Sequence, residues 1–76
     1  MKRRSVEPGY YDRESLQLAR EMAGLSEAEF AETSGLTMWA IKAIERGNRQ
    51  PHEFEVERYA TATGQDRANF QRSVKT

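Results

Sequence analysis

Gly35 separates two short helix patterns, and that junction restricts the fold more than any other feature of the chain. The first pattern is Leu25-Ser26-Glu27-Ala28-Glu29-Phe30-Ala31-Glu32. The second is Thr37-Met38-Trp39-Ala40-Ile41-Lys42-Ala43-Ile44-Glu45-Arg46-Gly47. Each opens on a hydroxyl residue, which can accept a bond from the free N–H groups of a first helical turn. Each closes on a glycine, which takes the left-handed conformation after a helix without steric cost. Once Thr33-Ser34 carry the first helix on to its glycine, only Gly35-Leu36 is left over as the turn, so the two helices must turn sharply against each other.

The flanking sequence supplies more helices. Asp12 is placed to cap a helix from about 13 to 23, whose buried stripe is Leu16, Ala19, Met22 and Ala23. Gly24 ends it. Ser26 and Glu29 have the Ser-x-x-Glu spacing of a capping box, with Leu25 as the apolar staple residue and Ala28, Phe30 and Ala31 facing inward. In the next helix Ile41 and Ile44 point to the core with Ala40 beside them. Pro51 suits the first turn of a fourth helix, in which Val56, Tyr59, Ala60 and Thr63 recur at helical spacing before Gly64. Asp66 is placed to cap a fifth, short helix with Phe70 and Val74. The expectation is an all-α bundle of about five short helices, occupying 10–76 as a single domain. Residues 1–9 are polar and lack periodicity, and they read as a flexible basic arm.

Two short helices joined by a tight glycine turn make a helix-turn-helix. From Leu16 to Gly64 the chain resembles the lambda-repressor-like, XRE-type (Cro-type) helix-turn-helix family of DNA-binding proteins. The resemblance is carried by Leu16, Ala19-Arg20, Gly24-Leu25-Ser26, Phe30-Ala31, Gly35-Leu36-Thr37, Ile41, Ile44-Glu45-Arg46-Gly47, Pro51, Ala60 and Gly64. It spans about two-thirds of the chain. It implies that the helix over about 37–46 enters the major groove, its N-terminal residues near base edges. With Ile41 and Ile44 turned inward, Thr37, Met38, Trp39, Lys42 and Ala43 are the expected base-contacting residues. Positions matching Met38, Trp39 and Ala43 are often polar in the family. Here they are apolar and suited to thymine methyl groups, which leaves Lys42 as the clearest hydrogen-bond donor.

Expected phosphate contacts are Arg46, Asn48 and Arg49 after the second motif helix, Arg3 and Arg4 in the arm, and Glu27, where the family often has glutamine. A carboxylate at that position favours its own helix N-terminus and repels a phosphate. The resemblance also implies that Glu45 is tied into the domain's own polar contacts.

Charge qualifies this reading. Twelve Lys and Arg balance twelve Asp and Glu, giving a net charge of zero. DNA-binding domains draw affinity from neutralised phosphates and are often basic. The basic residues are nevertheless clustered: Lys2, Arg3 and Arg4 at the start, then Lys42, Arg46 and Arg49. Glu53, Glu55 and Glu57 read as an ordinary solvated face.

Double-stranded DNA is thus the first expected partner, bound by a homodimeric transcriptional regulator of phage-repressor or antitoxin type. Phe54 and the Tyr59, Phe70 and Val74 group are candidates for the dimer interface; the alternative for the last three is that they only cap the core, which suits Tyr59 better. The alternative is an interaction module, an antirepressor or a toxin-neutralising partner, that binds a protein through Met38 and Trp39. A third place for Trp39 is against its own domain.

An enzyme is not expected. His52 is the single histidine, the chain has no cysteine, and no phosphate-binding glycine loop or activated serine is present. No metal or cofactor is expected. No apolar run approaches membrane-spanning length, and Met1-Lys2-Arg3-Arg4 lacks the apolar segment of a secretory signal, so the expected location is cytoplasmic.

Overall fold

The computed structural model describes residues 6–73, with side chains over 11–71. Helix α1 spans Arg13–Met22, α2 Glu27–Ser34, α3 Met38–Glu45 and α4 Glu53–Thr63. A single 3-10 turn follows at Arg67–Phe70. Strand β1, Val6–Tyr11, pairs antiparallel with β2, Gln71–Ser73. The two strands bring the ends of the described chain together.

The capping chemistry sets where the motif helices begin and end. Ser26 Oγ accepts from the Glu29 N–H at 3.1 Å while the Glu29 carboxylate accepts from the Ser26 N–H at 2.9 Å, completing the capping box. Thr37 Oγ1 accepts from the Ala40 N–H at 3.0 Å and starts α3 in the same way. Between these caps Gly35 has φ +80°, the left-handed conformation that ends α2. The Arg58 guanidinium donates to the Ser34 carbonyl at 2.7 Å, satisfying an acceptor left open at that helix end. α3 is thereby fixed across α2 by local bonds as well as by the core.

One apolar cluster joins the four helices to the 3-10 turn and the end of β1. Leu16, Phe30, Ile41, Ile44, Val56 and Tyr59 are inaccessible to solvent, and Tyr11 and Phe70 are nearly so. Phe30 and Tyr59 pack with ring centroids 4.5 Å apart, and Phe70 meets Tyr59 edge-on at 6.4 Å. Through the cluster runs a polar spine. Arg20 Nε and Nη2 grip the Glu45 carboxylate at 2.8–3.2 Å, and the Tyr59 hydroxyl donates to the same carboxylate at 2.7 Å. Arg20 Nη1 also donates to the Leu25 carbonyl at 2.8 Å. Burial and the Glu45 carboxylate hold the Tyr59 phenol well above its ordinary pKa, and the bond to Glu45 raises that of Arg20. Glu45 therefore ties α1, α3 and α4 together, as the family resemblance implies.

The structure corrects several expectations. The fifth helix is only the 3-10 turn, because four residues separate the Asp66 cap from β2; Val74 lies outside the described residues. The arm expected over 1–9 gives up residues 6–9 to β1. Pro8 and Gly9 disfavour strands locally, so β1 is held by tertiary partners. The Gln50 side chain supplies one of them, accepting from the Tyr11 N–H at 2.8 Å and donating to the Tyr11 carbonyl at 3.1 Å. Met22, Ala23 and Ala28 are exposed. Arg20 takes the place expected for an apolar residue in α1, and Met22 lies about 120° around that helix from Leu16. Pro51 precedes the first turn of α4 rather than occupying it, since His52 is the N-cap. Tyr59 and Phe70 are core residues, the alternative the sequence offered for them, so among the described candidates for a dimer surface Phe54 remains, 55% exposed.

Candidate nucleic-acid interface

The same geometry that buries one side of α3 presents the other. Ile41 and Ile44 are fully buried and Ala40 nearly so. Met38, Trp39, Lys42 and Ala43 are thereby turned away from the core. Trp39 is 77% exposed, the most exposed large apolar side chain described. It does not fold back to fill the domain's own edge, so that third reading is set aside. Thr37 is exposed, and its oxygen already serves α3 as a cap; its hydroxyl hydrogen is still available to donate.

Beyond Trp39 the surface forms an open concavity of about 330 Å³ lined by Trp39, Lys42, Ala43, Arg46, Asn48 and Arg49. Six residues expected to contact DNA, three at bases and three at phosphates, thus share one wall. The end of α3 shapes it. The Gly47 N–H donates to the Ile44 carbonyl and the Asn48 N–H to the Ala43 carbonyl, at 3.1 and 2.9 Å. With φ +79° at Gly47 the chain turns back so that Arg46 and Asn48 stand beside the helix face.

The cations of this surface are not equivalent. Lys42 Nζ lies 3.1 Å from Glu27 Oε1, across the α2–α3 junction. Arg49 grips Glu55 with two bonds of 2.9 and 2.8 Å, and Glu55 is 3% exposed. The Arg49 bond holds the Glu55 carboxyl below its ordinary pKa, and the same bond raises that of Arg49. Glu55 also accepts from the His52 N–H at 2.8 Å, so it is a structural anchor of α4. The expectation that Glu53, Glu55 and Glu57 form a solvated face therefore fails at Glu55. Arg46 is exposed and makes no ion pair among the described residues.

Glu27 stands at the first position of α2, where the sequence places it. Its charge is directed at Lys42 as well as at its own helix terminus. Arg3 and Arg4 lie outside the described residues.

Arg13 is an addition the sequence reading missed. It belongs to α1, yet its Nη1 donates to the Glu45 carbonyl at 3.4 Å. A Cβ at Gly47 would lie 2.8 Å from Arg13 Cδ, so the side chain lies against the loop that follows α3. Nothing local to Arg13 signals this, and the glycine at 47 is already required by its left-handed backbone. No cluster of His, Asp and Glu among the described residues could hold a metal ion. No described helix is long and apolar enough to cross a membrane.

A buried-faced α3, set across α2 by a glycine turn and presenting its outer side with a cationic loop, defines a helix-turn-helix protein. The helix-turn-helix family model matches residues 16–68, and the chain belongs to this XRE-type, lambda-repressor-like family of DNA-binding transcription regulators. Among solved structures, the chain is similar to the restriction-modification controller protein C.AhdI from Aeromonas hydrophila. The TM-score is 0.70 at 28% identity, covering 75% of this chain and 86% of that one. No curated protein matches the chain.

Proposed function

We propose that this chain is a sequence-specific transcription regulator that binds double-stranded DNA as a homodimer in the cytoplasm, with α3 in the major groove. The observation that carries the reading is the continuous outward surface running from Met38 and Trp39 along α3 to Arg46 and Asn48, clear of the core on its whole length. Thr37, Met38, Trp39, Lys42 and Ala43 would meet base edges, while Arg46 and Asn48 would meet phosphates. Arg49, tied to Glu55, would contribute less than its charge implies. A two-fold dimer would set two such helices on half-sites about one helical turn apart. The likeness to a controller protein favours a controller setting over the phage-repressor and antitoxin settings that the sequence brings to mind.

Arg46→Ala tests the phosphate part of the assignment. Binding is expected to weaken about tenfold at moderate salt, equally for selected and random duplexes, with the salt slope reduced by about 1. Fluorescence anisotropy over a salt series reads both quantities. An unchanged slope would remove Arg46 from the interface.

The exposure of Trp39 and Met38 favours one other reading, a protein partner docked on the same face. That reading requires duplex binding to be absent, or to survive loss of both side chains.

A further inference from the structure

Lys42 is the side chain of α3 best able to donate to a base edge, and its ammonium already has a partner. Glu27 holds it at 3.1 Å from the first turn of α2, where the helix terminus itself stabilises a carboxylate. The two side chains are 38% and 28% exposed, so the pair sits at the surface, in reach of water and of a ligand. On the other side of the concavity Glu55 neutralises Arg49. Of the cations Lys42, Arg46 and Arg49 lining that wall, only Arg46 presents an uncompensated charge.

Sequence-independent DNA affinity grows with the number of cations free to displace counterions from phosphates. A cation held by a carboxylate contributes little to that term. An ammonium has three donors, however, and Glu27 takes only one direction. The remaining N–H groups can still address a guanine O6 or N7 in the major groove. Glu27 thus limits where Lys42 can point while leaving it donors to use.

We infer that Glu27 is a specificity-determining positioning residue, whose ion pair withholds Lys42 from the phosphates of arbitrary duplex DNA and aims it at a base-edge acceptor. This rests on the DNA-binding reading above. It accounts for a carboxylate at a position beside the DNA backbone, where its own charge is unfavourable to binding.

The test uses the full chain as wild type, Glu27→Gln, Lys42→Gln and the double variant. The probes are a random-sequence duplex pool and the duplex that wild type enriches from it, each titrated across salt. Glu27→Gln is expected to tighten random-duplex binding about tenfold near 0.1 M salt and to steepen the salt slope by about 0.9. Affinity for the enriched duplex rises less, so the ratio of enriched to random affinity falls. In the Lys42→Gln background the same change at Glu27 is expected to tighten random-duplex binding by less than about threefold, the part due to relief of Glu27's own repulsion, because no ammonium remains to release. Thermal unfolding of each variant confirms that it is folded, as expected for a part-exposed pair.

An unchanged ratio in Glu27→Gln overturns the inference. So does equal tightening in the Lys42→Gln background, since Glu27 would then act by repelling phosphate directly. A wild type that binds duplex DNA but enriches no sequence overturns it as well. A wild type that binds no duplex at all overturns the DNA-binding reading itself, and this inference with it.

Discussion

Glu45→Ala is expected to cost about 3–5 kcal/mol, the penalty of stranding a buried charge. Arg20 is 7% exposed and spends three of its bonds on Glu45, and the Tyr59 hydroxyl, wholly buried, donates to the same carboxylate. Removing that carboxylate leaves a guanidinium and a phenol without their acceptor in the core. A domain of 76 residues has a total stability of about 4–11 kcal/mol at the usual stability per residue. That loss is a large share of the total, and at the low end of the range it leaves the variant largely unfolded at room temperature. Urea denaturation followed by circular dichroism measures the loss. Glu45→Gln retains an acceptor for Tyr59 and is expected to fall between the two. A loss below about 1 kcal/mol for the alanine variant would show that the spine is dispensable.

Ile41→Ala carries the second large effect, about 2–5 kcal/mol. The side chain has no exposure and sits in the cluster with Leu16, Phe30, Ile44, Val56 and Tyr59. It is also what fixes the rotation of α3, so that Met38, Trp39 and Lys42 face outward. Truncation opens a cavity beneath the proposed reading helix and loosens its seat as well as the fold. Ile41→Val removes one methylene and is expected to cost about 0.5–1.5 kcal/mol. The unfolding midpoints of the two variants, compared in one denaturant series, test this ordering; equal midpoints would contradict it.

The parts of the molecule governed by nearby residues were legible in the sequence. Ser26 with Glu29, Thr37, Gly35 and Gly64 each act within a turn of their own position, and each does in the structure what its chemistry implies. Ile41 and Ile44 are inward for the same reason, a local spacing of three. The outward face of α3 follows from them.

Features that depend on distant partners were not legible. Arg20 occupies the buried stripe of α1 only because Glu45, twenty-five positions later, receives it. Glu55 reads as one more acid on a polar helix until Arg49 closes on it. β1 contains Pro8 and Gly9 and lacks an alternating pattern, yet Gln50 and β2 give its backbone the partners a strand needs. Likewise, the pairing of Lys42 with Glu27 joins two residues that seemed to have separate roles, one toward bases and one toward phosphates. Short-range chemistry thus located the candidate interface, while its distribution of charge emerged only from the packing of α2 on α3.

The most direct measurement is selection from a random duplex DNA pool, run in parallel with the wild type and a Met38→Ala/Trp39→Ala variant. A reader that places α3 in the groove as a dimer is expected to enrich a palindromic site with half-sites about 34 Å apart. The double variant, which keeps the buried face of α3 intact, is expected to lose that enrichment. No enriched sequence with the wild type, or the same site enriched equally by the variant, would contradict the assignment of this face to DNA.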